Sequence, residues 1–128
     1  MKLKHLFIIH AIIALGYAVC NLFTPRIIVS IYFVNDTPTA EVLLSLRYFS
    51  WGLLSVGLIT AFAAAAPISE AKQAIVKALF LTSIVGLIVS LMGIFSGTFN
   101  AFGWSAVVIF VFLTAGYFYF WFIKPESA

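Results

Sequence analysis

Four apolar runs, each long enough to cross a bilayer and each closed by proline or glycine, constrain this chain more than any other feature of it. Crossing about 30 Å of hydrocarbon takes about 20 helical residues at a rise of about 1.5 Å each. The runs cover about residues 3–23, 41–65, 72–96 and 104–123. The first ends at Thr24-Pro25, the second before Pro67, the third at Gly97 and the fourth at Lys124-Pro125. Such residues are the usual stops of a helix. The pattern predicts an all-α membrane protein: a four-transmembrane-helix bundle forming a single integral membrane domain over residues 1–128.

Composition excludes the soluble alternative. A wetted domain carries about 25% charged residues, whereas this sequence has 9%, with 64% hydrophobic residues and a mean hydropathy of +1.18. The net charge of +3 does not mark a nucleic-acid partner, because the lysines and arginines are scattered at the ends of the apolar runs. They report topology instead. With four spans, the N-terminus, the middle loop and the C-terminus share one face, which holds Lys2, Lys4, Lys72, Lys77 and Lys124. The other face has Arg26, and Arg47 if its side chain reaches out. Positive residues accumulate on the cytoplasmic side, so both termini are expected in the cytoplasm. Cleavage of the first run as a signal peptide, or lipidation at Cys20, fits poorly: the run is long, Val19 is a poor residue before a cleavage point, and Tyr17 stands where an aliphatic residue is wanted.

The first connection carries structure of its own. Thr24 caps and Pro25 opens a stretch through Phe33 that is too short to span and is expected to lie as a short interfacial helix after span one. Asn35-Asp36-Thr37-Pro38 then makes a polar turn, with Thr37 expected as the cap and Pro38 as the first helical residue of span two. Trp104, Tyr32, Trp121 and Tyr119 lie near span ends, where interfacial anchors sit.

Lipid supplies no hydrophobic drive between helices, so small residues that allow close backbone approach mark the contacts. Span three has a stripe of Ser83, Gly86, Ser90, Gly93 and Gly97, which includes the GxxxG of Gly93 and Gly97. Two uses are open to it: packing inside the bundle, or a homodimer interface.

Ionisable and amide groups at membrane depth are the candidate functional residues. Arg47 lies six residues into span two, about 9 Å below Glu41. Either it snorkels to the headgroups, or it turns inward to meet Asn21 near the same end of span one. In the second case Asn21, Arg47, Asn100 and Glu41 would form an outward-facing polar pocket for a lipid or a small apolar or anionic ligand. His10 shares a face of span one with Ala14, Tyr17 and Asn21 and stands level with Thr60, Ser83 and Tyr117. A neutral imidazole bonded to a hydroxyl across the helices is the simplest use of His10, with Tyr117 the second intramembrane polar residue.

Absences narrow the function further. No Asp or Glu lies in a span interior, which disfavours a proton-coupled exporter. His5 and His10, on one helix, cannot sandwich a haem, and the single cysteine cannot do disulfide chemistry alone. No metal-ligand spacing and no phosphate loop is present, so no metal and no cofactor is expected. No catalytic constellation stands out.

Three segments read together carry a resemblance: residues 21–26 (Asn-Leu-Phe-Thr-Pro-Arg), Arg47 with Gly52, and residues 96–104, which include Asn100-Ala101-Phe102-Gly103-Trp104. The pattern resembles uncharacterised four-span bacterial membrane proteins of domain-of-unknown-function type, distantly similar to the DoxX-like group. That resemblance implies a four-helix fold in a bacterial inner membrane, and no activity. The leading expectation is a non-enzymatic accessory or a bundle that binds a lipid or other small ligand, in contact with the bilayer and with a homodimer or a membrane partner protein open to it. The alternatives are a small dimeric transporter or channel, and a membrane enzyme acting on a lipid.

Overall fold

Helix α1 (Leu3–Phe23) ends where Pro25 removes a backbone donor, and the Thr24 N–H closes its last turn on the Cys20 carbonyl at 2.9 Å. The same proline starts α2 (Pro25–Tyr32), where its missing N–H is no loss. The computed structural model describes residues 1–126. Helix α3 (Ala40–Ala65) is capped by Thr39, whose hydroxyl accepts from the Val42 N–H. Thr37, the expected cap, is engaged elsewhere: its N–H and hydroxyl both donate to Asn35 Oδ1, at 3.1 and 2.7 Å. The turn thus uses up Thr37, and the cap falls two residues later. Ser69 caps α4 (Glu70–Phe95) by accepting from the Lys72 N–H at 3.2 Å. Beyond α4, Gly97 takes φ +74°, a left-handed conformation that favours glycine and stops the helix. Asn100 caps a short 3-10 turn (Ala101–Gly103) that leads into α5 (Trp104–Phe118), and a wider π turn (Tyr119–Ile123) completes that span before Pro125.

Four of these helices are long and apolar enough to cross a membrane. Large side chains turn outward along all of them: Phe62 is 73% exposed, Phe95 78%, Trp51 72% and Val108 66%. A water-soluble monomer does not display apolar surface on that scale. The chain is a multi-pass membrane protein with an all-α, four-helix bundle fold.

The bundle is built as two hairpins. Helix α1 packs along α3, and α4 along α5, while the two pairs meet less extensively. Ala11, Ala14 and Ala18 give α1 a smooth buried side. Gly57 of α3 comes so close to α1 that an added Cβ would lie 2.7 Å from Leu15 side-chain atoms, and the Ser50 hydroxyl donates to the Ala18 carbonyl at 2.5 Å. In the second hairpin Gly86 lies against the ring of Phe110, and Gly93 against that of Phe99.

The hairpins are closed on each other at both ends. At the end carrying the termini, Leu3, Leu6, Phe7, Val76, Tyr117 and Phe120 belong to one buried cluster. Polar ties accompany it: the Leu3 N–H donates to Glu126 Oε1 at 3.1 Å, and Gln73 Nε2 donates to the Glu126 carbonyl at 2.8 Å. At the far end the chain leaving α2 pairs with the turn between α4 and α5. The Val34 N–H donates to the Thr98 carbonyl at 3.0 Å and the Asn100 N–H to the Tyr32 carbonyl at 2.8 Å, an antiparallel bridge of Phe33 with Phe99.

Candidate functional site

Between these two closures lies a cavity of about 560 Å³, lined from α1, α2, α3, α4 and α5 and by Phe33 and Phe99. Its volume is within the range of small-molecule sites, about 300–1,000 Å³. The walls are mainly aliphatic and aromatic, with Phe49 and Leu53 from α3, Val85 and Val89 from α4, and Ile109 and Phe110 from α5. Its polar members are His10, Tyr17, Asn21, Tyr32, Thr82 and Ser90. Among the described residues that line it, none is Lys, Arg, Asp or Glu. It is an apolar chamber with a few fixed hydrogen-bonding groups.

Helical spacing explains the α1 wall. His10, Ala14, Tyr17 and Asn21 recur at steps of four, three and four, so they face one way. His10 stands at the inner part of that wall, where Nδ1 lies 2.7 Å from the hydroxyl of Tyr117 on α5. Both residues are buried. This bond joins the two hairpins beneath the cavity.

Asn21 stands at the other end and is 1% exposed. Its Nδ2 donates to the Tyr17 carbonyl one turn back at 2.7 Å. Its Oδ1 is buried and has no hydrogen-bond partner. An acceptor left so costs about 1–3 kcal/mol, and in a lipid-facing protein no bulk water is at hand to relieve it. Beside it the hydroxyls of Tyr17 and Tyr32 bond to each other, and Tyr32 continues to Ser105 Oγ at 3.2 Å. Tyr32 is therefore an inward residue, not an interfacial anchor: Pro25, Val29 and Tyr32 form the buried side of α2. The importance of Tyr32 and Ser105 was missed in sequence, although the spacing of 25, 29 and 32 carries the signal for Tyr32.

The remaining candidates lie outside this chamber or in its frame. Arg47 is exposed and shares an outward depression on α3 with Leu44, Tyr48 and Trp51, residues at steps of three, one and three on a single helix face. It does not meet Asn21 or Asn100. Glu41 is exposed in the first turn of α3. Asn100 spends its side chain on the frame: Oδ1 accepts from the Phe102 N–H and Nδ2 donates to the Ile31 carbonyl, both at 2.8 Å. The structure thus separates the four residues Asn21, Arg47, Asn100 and Glu41.

The small-residue stripe of span three divides likewise. Gly86 and Ser90 line the cavity, and the Ser90 hydroxyl donates to the Gly86 carbonyl at 2.8 Å. Gly93 holds the ring of Phe99. Gly97 lies past the end of α4, so the GxxxG pair does not form a helical face. Among the described residues no three His, Cys, Asp or Glu side chains gather in a way that could hold a metal ion.

Comparison with protein-family models, with curated proteins and with solved structures gives no match.

Proposed function

We propose that this is a non-enzymatic membrane protein that holds one lipid-like molecule in the chamber between its two hairpins. The observation that carries the reading is the chamber itself: about 560 Å³, apolar-walled and without a charged residue among the described ones that line it. Apart from Asn21 Oδ1, its polar side chains are tied into side-chain and backbone hydrogen bonds, and none forms a nucleophile–base–acid set, which favours binding over catalysis. A molecule entering from the bilayer would pass between the hairpins, which meet less extensively than the helices inside each.

The lysine distribution supports both termini being cytoplasmic, and the DoxX-like likeness of the motifs implies a bacterial inner membrane without adding an activity. A dimeric permease has less support, because Gly86 and Gly93, which would have to face a second copy, are taken up by Phe110 and Phe99 of the same chain.

A thermal titration tests the binding reading. Anything that binds only the folded state raises its melting temperature. Lipid extract of the source membrane, added to delipidated protein, is expected to stabilise the wild type and to leave Ala106→Trp unmoved, since Ala106 lines the chamber and the indole would fill it. Equal shifts in the two proteins, or none in either, contradict the reading.

A further inference from the structure

We infer that the chamber holds one hydrocarbon chain of a membrane lipid, taken in sideways between α3 and α4, while the headgroup of that lipid stays outside; this rests on the binding role proposed above and names the part of the ligand that is held. The two long sides of the chamber differ. On one side His10 and Tyr117 tie α1 to α5 at 2.7 Å, and Gly116 lies so close to α1 that an added Cβ would stand 2.9 Å from a Leu6 methyl. On the other side, Ala63 and Ala64 of α3 share a buried cluster with Val76 and Leu79 of α4 at the end carrying the termini. Beyond that cluster the two helices scarcely meet. Phe49 of α3 and Val85 and Val89 of α4 line the chamber there, yet they are 55%, 59% and 56% exposed. The chamber is thus a slot, open to the bilayer along its α3–α4 side.

Depth and width decide what fills the slot. All three residues lie within membrane-spanning helices, where apolar space stays dry and an empty gap deprives its lining atoms of contacts. A helix of a second copy, about 10–12 Å across, would use up the 560 Å³ in about one turn. A lipid chain is thin enough to enter, and it is the medium already at the opening.

The wall gives a headgroup almost nothing to bind. The hydroxyls of Tyr17 and Tyr32 bond to each other and, through Tyr32, to Ser105. Ser90 donates to the Gly86 carbonyl, and Thr82 to the Leu79 carbonyl at 3.2 Å. Asn21 Nδ2 donates to the Tyr17 carbonyl, and its Oδ1 is sealed within the protein, closed to a ligand. One ring nitrogen is left on the α1 wall, His10 Nε2. A single imidazole nitrogen does not replace the hydration of a phosphate, and among the described residues no Lys or Arg lines the chamber to balance its charge.

Photolabelling of the full-length protein in phosphatidylcholine nanodiscs tests this with two phosphatidylcholine probes. One carries a diazirine at the methyl end of a hexadecanoyl chain, the other on the headgroup. The chain probe is expected to label Ile13 of α1 and Ile109 of α5, on the wall away from the slot, and the headgroup probe to miss both. Changing the host lipid to phosphatidylglycerol, or adding diacylglycerol of the same chains, should leave chain labelling of Ile13 and Ile109 the same within about twofold. Val85→Trp, at the exposed rim of the slot, should abolish that labelling and leave labelling of the outward-facing Phe62 unchanged. The lipid series in wild type needs no variant to fold. Headgroup labelling of Ile13 or Ile109, or a loss of about tenfold on adding diacylglycerol, would seat a polar end at His10 Nε2 and overturn this inference while the binding role stands. Undiminished labelling of Ile13 and Ile109 in Val85→Trp would overturn entry between α3 and α4, again leaving the binding role. If neither probe labels the chamber, both fall.

Discussion

His10 Nδ1 and the Tyr117 hydroxyl, 107 residues apart in sequence, meet at 2.7 Å in the buried seam between the two hairpins. Tyr117 has no other hydrogen-bond partner among the described residues. Tyr117→Phe keeps the packing and strands Nδ1, which should cost about 1–3 kcal/mol. Removing both partners in His10→Leu/Tyr117→Phe should recover part of that loss. Thermal unfolding of the four proteins in one detergent checks this; strictly additive losses would mean that the pair is not coupled.

Close helix approach predicts a split among glycines. Gly57→Ala forces a Cβ against Leu15, including its backbone nitrogen at 3.2 Å, and should destabilise by about 1–3 kcal/mol. Gly16 and Gly52 have open space where a Cβ would go, so Gly16→Ala and Gly52→Ala should gain up to about 0.5–1 kcal/mol from the stiffer helix. The same unfolding measurement ranks them, and a loss at all three sites would contradict the α1–α3 register.

Arg47 stands on the outward face of α3 with Tyr48 and Trp51. Arg47→Ala should therefore change stability by no more than about 0.5 kcal/mol and leave the lipid-induced melting shift at its wild-type size. Loss of that shift in Arg47→Ala would move the ligand to the outer surface of α3.

The lengths and order of the four long helices were legible because apolar runs bounded by Pro25, Pro67, Gly97 and Pro125 leave the backbone few alternatives in lipid. The polar wall of His10, Tyr17 and Asn21 was legible too, since helical spacing alone places the three together. What sequence did not show is how the hairpins sit against each other. That depends on Gly57 against Leu15 and Gly86 against Phe110, contacts between distant residues with no local signature. The chamber, a product of that arrangement, was invisible for the same reason. Arg47 left two readings open because depth along a helix is written in the sequence more plainly than direction around it. The company of Leu44, Tyr48 and Trp51 was the available clue.

Orientation is open to direct test. In a Cys20→Ser background, Asp36→Cys lies in the turn between α2 and α3, and Glu70→Cys at the start of α4, on the opposite side of the membrane. A membrane-impermeant maleimide added to intact cells should label Asp36→Cys, and should reach Glu70→Cys only after lysis. The reverse pattern would place the lysine-rich face outside.

Native mass spectrometry of the protein released gently from its own membrane tests the ligand-holding chamber most directly. The expected spectrum shows one lipid bound per chain in the wild type and none in Ala106→Trp. A bare wild-type protein, or the same bound lipid in Ala106→Trp, would contradict a binding role for the chamber.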